Sequence, residues 1–446
     1  MPNVPVPVVG PTYKSRSLPT SAQQTKGFLI EVGPNSENVI SLQSFPGLTS
    51  FSNTGALQDR GMGVFNGTLY KVTGDTLYSI SSAGVSTSIG SIAGTGRCKL
   101  EESTNDLVIT TGIGKPYSYN GTTLTQGTDA DLPNASTATY IKNRVVYDGN
   151  NSDVVFADLG SSLSVSSSNI TSADNSPDDI RAVYAWKDQL FAFGDNSIVP
   201  YYNSGAGSPP YSIIQNSVQE IGIKAIHSIA SNNNSMYFLG NDLMPYRLLG
   251  LQPQNIGEPS IGQAIASYSS PQDAIGLCFT LHNQNFYYLT FPGNATWLFS
   301  ESAGWTNLSF GVNGDPHLIS SYARAYNKHL VADRRNGNVY ELDFDAFTDN
   351  GETIQRRRDT GKISGKELGF PGKEIYMHRL EIVVETGVGA VTGTGVDPKI
   401  IMQFSDDGGR TYSKEQWRSM GTLGDFTIKL EWFDLGSFYE RMFVLR

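Results

Sequence analysis

A repeated pair of short β-strands constrains the fold of this chain more than any other feature of its sequence. From about residue 60 to residue 345 one unit recurs: an apolar run, a polar turn, a second apolar run, and a third strand rich in tyrosine. The turns fall at Asn66-Gly67, Thr104-Asn105, Lys142-Asn143, Lys187-Asp188, Asn232 to Asn234, His282-Asn283 and Asn327. They lie about 40–50 residues apart, which is the blade period of β-propellers. The repeat therefore predicts an all-β chain.

The third strands give a second count of the repeats. They occupy residues 76–80, 116–119, 153–156, 197–202, 243–247, 297–299 and 338–342. These segments predict a propeller of about six to seven antiparallel blades, with the N-terminal segment as a candidate for closing the ring. Such a disc with a central channel offers flat surfaces rather than a deep ligand-binding pocket.

The domain organisation follows from where the repeat begins and ends. Residues 1–40 are expected to form an extended arm, which would lie on its own domain or on a neighbour. Residues 41–348 are the predicted propeller, and residues 349–375 are a polar connector. Residues 376–446 hold four or more strands and predict a small C-terminal β-sandwich-like module.

One turn of this C-terminal module has the spacing of an Asp box. Ser405, Asp407, Gly409, Thr411 and Tyr412 follow the pattern Ser-x-Asp-x-Gly-x-Thr-aromatic. In such a turn, side-chain oxygens bond the local backbone and the aromatic ring packs beneath. The box is a folding device that carries no catalysis, so we interpret these residues as structural.

The charge of the chain limits how it can meet nucleic acid. The 32 basic and 42 acidic residues give a net charge of −10. Binding through phosphate contacts needs clustered Lys and Arg, so that mode is not expected. A second alternative is left open, in which an acidic wall surrounds a path for DNA. Its negative charges would repel the phosphates, so the DNA would not bind to the wall. In this setting the triplet Arg356, Arg357 and Arg358 is interpreted as an interface or a solvated strand.

No group of residues indicates catalysis, a metal site or a cofactor. The five histidines are scattered without ligand spacing, and no pair of acids is singled out for glycoside hydrolysis. Cys98 and Cys278 are interpreted as buried free thiols. We find no secretory signal and expect no membrane insertion. Two other classes stay open: a propeller glycosidase or sialidase-like enzyme, and a glycan-binding adhesin.

Short motifs in a fixed order resemble one protein family. They are Ser-Phe-Pro-Gly-Leu-Thr at 44–49, Gly-Thr-Leu-Tyr at 67–70, Gly-Thr-Gly-Arg at 94–97, the Trp-Lys-Asp hairpin with its following strand at 186–202, and the Asp box at 407–415. With these motifs the chain resembles the tail hub proteins of short-tailed bacteriophages, also called packaged DNA stabilisation proteins, which are head-completion factors. Residues 205–340 contain blades but none of the motifs.

The resemblance implies a structural virion protein with no enzymatic activity and no cofactor. Six copies would form a homohexameric ring, the tail hub or nozzle, below the portal and its adaptor. The ring would extend and close the DNA channel and retain packaged DNA, which would pass through without specific binding. Expected partners are the portal-adaptor proteins, a tail needle or plug, and tail fibres or spikes. The protein would be assembled in the host cytoplasm and lie in the virion tail.

Candidate contacts with other subunits or with the adaptor lie in two places. Tyr13, Lys14 and Arg16 belong to the arm. Arg356, Arg357 and Arg358 belong to the connector. We expect all six at the surface.

Overall fold

The chain folds into two compact units, both built of β-strands. This computed structural model describes residues 4–15, 21–33, 40–149, 151–172, 178–205, 207–392 and 395–446. The propeller unit comprises Pro46–Thr296 and Phe310–Thr353, and the C-terminal unit comprises Met1–Phe45, Trp297–Ser309 and Ile354–Arg446. Within the described residues the helical segments are the α-helix Pro259–Ala266 and the 3₁₀ turns Ser167–Asn169, Ile226–Ser228 and Pro271–Asp273.

Six antiparallel sheets of the propeller unit are its blades, numbered here in chain order. Blade 1 contains Asp59–Phe65, Thr68–Thr73, Thr76–Ile80 and Ser86–Ser91; blade 2 contains Lys99–Glu102, Leu107–Thr110, Tyr117–Tyr119 and Leu124–Gln126. Blade 3 contains Ala138–Ile141, Arg144–Asp148, Asp153–Phe156 and Ile170–Ser172; blade 4 contains Ile180–Trp186, Gln189–Gly194, Ile198–Asn203 and Tyr211–Ile213. Blade 5 contains Ala230–Ser231, Met236–Leu239, Pro245–Leu249 and Gln252–Asn255; blade 6 contains Ile319–Ala325, Lys328–Asp333, Asn338–Asp343 and Gly47–Asn53, extended by Thr348–Asp349 and Glu352–Thr353. The predicted all-β propeller of about six to seven blades is confirmed.

The hairpin of Ile275–Leu281 and Gln284–Phe291 stands between blades 5 and 6. Tyr287 stacks on Tyr237 of blade 5 with ring centroids 4.9 Å apart. Phe279 contacts Tyr322 of blade 6 with centroids 5.6 Å apart. The chain continues through Ala295–Ser300, Gly304–Phe310 and Asp315–Pro316. This hairpin is the repeat that brought the sequence-based count to seven.

Two-residue turns with positive φ set the register of the hairpins. Both central residues have positive φ at Asn66-Gly67, Lys142-Asn143, Lys187-Asp188, His282-Asn283 and Tyr326-Asn327. This is the type I′ turn, whose twist matches that of the strands it joins and which Asn, Asp and Gly adopt most readily. The predicted turns are confirmed at these positions, because the turn type restricts which residues can occupy it.

The hydrophobic core lies between successive blades. Phe156 of blade 3 stacks on Tyr211 of blade 4, with centroids 5.4 Å apart. Phe193 of blade 4 meets Phe238 of blade 5 edge to face, also at 5.4 Å. Each of these core clusters takes its buried side chains from two blades. A single blade therefore buries only part of its apolar surface by itself.

The strand Gly47–Asn53 closes the propeller. It pairs antiparallel with Asn338–Asp343 on one side, and it pairs in parallel with Thr348–Asp349 on the other. The last blade is thus completed by the first strand of the propeller unit. The closing strand thus comes from residues 47–53, after the expected arm of residues 1–40.

One sheet of the C-terminal unit combines strands from both ends of the chain. Ala22–Lys26 pairs with Arg357–Asp359, which pairs with Glu440–Leu445, then Lys399–Ser405 and Gln416–Ser419. Shorter ladders involve Tyr13–Lys14, Phe28–Val32 with Ile40–Ser44, Ile363–Ser364, Ile375–Tyr376 with Ser437–Phe438, and Arg379–Ile382 with Leu430–Phe433. Trp432, Phe443 and Met402 are buried in its core.

These units divide the chain differently from the sequence-based segments. Residues 1–45, which include the expected arm, group with residues 354–446. The expected connector is split, because Thr348–Asp349 and Glu352–Thr353 extend blade 6 whereas Arg357–Asp359 is a strand of the C-terminal unit. Pairing between distant strands leaves no local mark in the sequence that would reveal this grouping.

Gly47→Ala tests the closure of the ring. A Cβ atom at this position would lie 2.5 Å from the carbonyl oxygen of Ala346 and 2.6 Å from that of Thr348. We expect the free energy of unfolding to fall by about 1–3 kcal/mol, the cost of forcing atoms into a packed site, as measured by urea denaturation.

Gly96→Ala is the matched control for this measurement. A Cβ atom there would meet nothing within 4 Å. Equal losses of stability in the two variants would show that contact at the closing strand is not the cause.

Candidate assembly surfaces

Arg358 is buried in the C-terminal unit and holds the N-terminal segment. The residue is 2% exposed. Its guanidinium donates hydrogen bonds to the carbonyl oxygens of Val8 at 2.6 Å and Gly10 at 2.9 Å, and to Thr25 Oγ1 at 2.9 Å. Burial lowers the pKa of Arg358 to about 10, so the group stays charged at neutral pH. This arginine therefore ties the start of the chain to the sheet.

The arginine triplet does not act as one surface. Arg358 faces inward and has no exposed side chain to offer another subunit, which corrects the expectation for this residue. Arg357 is half-buried and makes a two-pronged pair with Asp359 at 2.7 and 3.0 Å. Arg356 donates from Nε to Ser44 Oγ at 2.8 Å. Since side chains alternate across a strand, neighbouring arginines point to opposite faces.

A basic surface is formed by Lys14, Lys26 and Arg357. Lys26 is in register with Arg357, and Tyr13–Lys14 pairs on the same strand as Lys26. Burial lowers the pKa of Lys26, and repulsion from Lys14 and Arg357 lowers it further. The negative charge of Asp359 attracts all three cations and raises the pKa of each.

The structure thus brings one predicted residue of the arm next to one predicted residue of the connector. Lys14 is exposed and Tyr13 is half-buried, whereas Arg16 lies outside the described residues. Lys26 was missed by sequence reasoning. Its position at the end of the strand Ala22–Lys26 was the available signal, but the partner strand is more than three hundred residues away.

The Asp box is a compact hydrogen-bonded turn. Asp407 accepts hydrogen bonds from the backbone N–H of Arg410 and Thr411, both at 2.9 Å, and from Thr411 Oγ1 at 2.6 Å. The hydroxyl of Ser405 donates to Asp407 at 2.7 Å and accepts from the N–H of Gly409 at 2.9 Å. These bonds, led by that of the Thr411 hydroxyl, hold the pKa of Asp407 far below its usual range.

Two further side chains lie next to the box. Tyr412 is 42% exposed, and its hydroxyl oxygen lies 3.3 Å from the position that a Cβ atom would take on Gly409. Arg441 stacks on Phe404 at 3.9 Å and on Phe438 at 4.3 Å. Its guanidinium pairs with both oxygens of Asp406 at 2.6 and 2.7 Å. The Asp box is thereby anchored by the last strand of the chain.

Two neighbouring loops of the C-terminal unit expose apolar side chains. We call this group the loop cluster; its members are Val383, Val388, Val391, Leu423 and Phe426. Exposure reaches 91% at Val383 and 70% at Phe426. The N–H of Gly387 donates to the carbonyl of Met420 at 3.1 Å, and that of Gly424 donates to Gly387 at 3.0 Å, which holds the loops together. Large contiguous apolar patches are typical of interaction sites, so the loop cluster is a candidate for one.

A second exposed group in the same unit is aromatic. Tyr376, Phe433 and Tyr439 are half or more exposed. His378 meets Phe433 edge to face at 6.3 Å and pairs with Asp434 at 3.1 Å. Sequence reasoning missed both exposed groups, because apolar residues in short strands predict core rather than surface.

Sites for other chemistry were also considered. Over the part of the chain that the structure describes, no three His, Cys, Asp or Glu side chains are grouped to hold a metal ion. In that same part, no helix has the length and apolar character needed to cross a membrane. In the described structure neither Cys98 nor Cys278 forms a disulfide; Cys98 is buried, which raises its pKa to about 11, and Cys278 is half-buried.

Two sequence models of known protein families match this chain. The sequence model described as "Bacteriophage P22 Gp10, beta-propeller" matches residues 35–347, and the one described as "Bacteriophage P22 Gp10, beta-sandwich" matches residues 367–446. The chain belongs to the bacteriophage P22 Gp10 family. This membership makes it a phage structural protein of the packaged-DNA-stabilisation type and a virion component. The resemblance found in the sequence is confirmed.

Solved structures similar to this Gp10-family chain are propellers of varied function. They include the WD40 domain of Neurospora crassa Pan2, with a TM-score of 0.46 and 7% identity over 67% of this chain and 96% of that one. Virginiamycin B lyase from Staphylococcus aureus has a TM-score of 0.45 and 11% identity over 66% and 98%. BamB from Moraxella catarrhalis has a TM-score of 0.41 and 9% identity over 72% and 96%. No curated protein sequence matches the chain.

Arg358→Met tests the buried anchor of the Gp10-family C-terminal unit. Several carbonyl oxygens would lose their donor, and each unsatisfied buried group costs about 1–3 kcal/mol. We expect a large loss of stability of the C-terminal unit, seen as earlier unfolding in chemical denaturation. Arg379→Met is the control, because Arg379 is 36% exposed and its pairs with Glu381 and Glu431 are worth little. A smaller effect at Arg358 than at Arg379 would contradict the anchoring role.

Asp407→Asn tests the charge of the Asp box. A carboxylate with a lowered folded-state pKa adds stability above its unfolded value of about 3.9, and this stability is lost as the pH falls further. We therefore expect the stability of the wild type to fall more steeply below about pH 4 than that of the variant. Urea denaturation across this range measures the difference. Asp131→Asn, at an exposed aspartate of the propeller unit, is the matched variant for the loss of one carboxylate. Parallel curves for Asp407→Asn and the wild type would contradict the assignment.

Proposed function

We propose that this Gp10-family chain is a non-enzymatic subunit of a tail hub or nozzle, in which six copies form a ring below the portal and its adaptor. In this position the ring extends the DNA channel. Together with a tail needle or plug it closes the channel after packaging and so retains the DNA. Tail fibres or spikes bind its outer side.

The loop cluster is the observation that carries this proposal beyond family membership. Its side chains are exposed on a unit whose own core is already filled by Trp432, Phe443 and Met402. Removing apolar surface from water contributes about 25 cal/mol per Å². A neighbouring subunit or an adaptor protein would gain that energy by covering Phe426 and Leu423.

The basic surface supplies a second, chemically different contact. A ring closed by rotation uses heterologous interfaces, in which each subunit presents two different surfaces. An apolar loop cluster and a basic surface on one unit meet that requirement. The net charge of −10 supports the same reading, because an acidic conduit lets DNA slide without binding it.

Assembly tests the proposal directly. The purified protein is mixed with portal-adaptor complexes of the same phage, and the product is characterised by light scattering and electron microscopy. Six copies added to the existing ring are expected. A protein that stays apart from these complexes and cleaves or binds glycans would overturn the proposal in favour of the enzyme or adhesin class.

The double variant Leu423→Ser, Phe426→Ser tests the loop cluster. We expect about tenfold weaker incorporation into the ring or more, because an interface residue of this kind contributes over 1 kcal/mol. The melting temperature should stay near that of the wild type, since both residues are exposed. Val85→Ser, at a residue of the propeller unit that is 63% exposed, serves as the control and should assemble normally. Equal assembly of both variants would remove the loop cluster from the interface.

A further inference from the structure

A polar cavity lies on the axis of the propeller unit. It has a volume of about 150 Å³ and is lined from blades 1 to 4, from the 3₁₀ turn Ile226–Ser228, from the hairpin Ile275–Phe291 and from blade 6. About 10–15 Å³ is enough to hold one water molecule, so the space admits a small solute with water. Three of the residues that line the cavity have basic side chains: Arg97, Lys99 and His227.

Arg97 brings a positive charge into the cavity without a carboxylate partner. Its Nη2 donates to the carbonyl oxygen of Ser320 at 2.6 Å and to Ser321 Oγ at 3.3 Å. Among the described residues, no Asp or Glu oxygen lies within 4.0 Å of its guanidinium. The carboxylate of Asp59 attracts Arg97 electrostatically without contacting it. The same carboxylate pairs with Lys71 Nζ at 3.7 Å. The Arg97 guanidinium therefore lines the cavity with no carboxylate in direct contact.

Lys99 adds a second cation to the same wall. Its Nζ lies 3.2 Å from Glu101 and 5.7 Å from the centre of the Tyr184 ring. The Lys99 and Glu101 charges cancel, so the cavity region carries the net positive charge of Arg97. Arg97 is half-buried, and an anion in the cavity would give its guanidinium a charged partner.

His227 lines the same cavity as both cations. Burial, Arg97 and Lys99 lower its pKa to about 3, so the imidazole is neutral and offers one N–H. No hydrogen bond of this ring is found among the residues that the structure describes. The other polar groups lining the cavity include the guanidinium of Arg97 and the ammonium of Lys99, which suit an oxygen-rich anion. The rings of Tyr184 and Tyr322 also line it, but their hydroxyls are hydrogen-bonded to Ser231 and His329.

We propose that this axial cavity binds one free, phosphate-sized oxyanion, held by the guanidinium of Arg97, the ammonium of Lys99 and the ring N–H of His227. Hydrogen bonds between charged partners are the strongest available to such a ligand, and the planar guanidinium fits two oxygens at once. A phosphodiester of DNA carries similar oxygens, and competition with an oligonucleotide distinguishes it from a free anion. The proposal does not depend on the hub function.

Calorimetric titration of the full chain with inorganic phosphate tests the site. We expect one phosphate per chain with a dissociation constant in the millimolar range or tighter. Arg97→Met should weaken binding about tenfold or more, because a charge-assisted pair is lost. Arg181→Met, which removes an exposed arginine paired with Asp195, should bind like the wild type. Absence of binding to the wild type, or equal binding by Arg97→Met, would overturn the proposal.

Two further measurements guard against a misfolded variant and a different ligand. Lys99→Gln changes a partly exposed side chain, so it should fold normally and still bind phosphate more weakly; unchanged affinity would count against the site. In histidine-labelled protein, the resonance absent from His227→Gln should shift when phosphate is added. If a single-stranded DNA oligonucleotide shifts the same resonance and competes with phosphate, the assignment to a free anion is wrong.

Discussion

The pairing of Gly47–Asn53 with Asn338–Asp343 is the interaction on which the propeller depends. It joins segments nearly three hundred residues apart and covers the edge of the last blade, which would otherwise present unpaired backbone groups. The cores between blades add to this dependence, because the clusters around Phe156 and Phe238 draw on two blades each. An open ring would leave both end blades with apolar faces in water. Closure therefore stabilises every blade, including those that the closing strand does not touch.

The C-terminal unit depends on buried arginines in the same way. Arg358 gathers carbonyl oxygens of the N-terminal segment, and Arg441 fixes the Asp box through Asp406. A planar guanidinium with five donors can satisfy several acceptors at once, which a lysine cannot do. These charged groups of the unit bond within it, whereas the apolar side chains of Val383 and Phe426 are exposed. The distribution is thus the reverse of the usual one, in which apolar side chains are buried and charged ones exposed.

Much of the fold could be predicted from the sequence, and the reasons are local. Type I′ turns favour Asn, Asp and Gly, so Asn66-Gly67 marked its hairpin directly. The inward position of Arg358 could not be predicted, because three consecutive arginines do not reveal which one faces the core. The grouping of Lys26 with Arg357, and of Arg97 with His227, depends on strands that meet only in the folded chain. Long-range pairing, rather than composition, limited the prediction of the surfaces.

Closure by an early strand also has a consequence for synthesis. Thr49 meets Glu341 across a separation of 292 residues, so a nascent chain has produced most of its length before the ring can shut. At about 5–20 residues per second, the growing chain would wait on the order of tens of seconds with its first strand unpaired. During that interval the strand Gly47–Asn53 has unpaired backbone groups, with which other nascent chains on the same mRNA could pair. Efficient folding would then favour a chaperone or slow initiation over rapid, crowded translation.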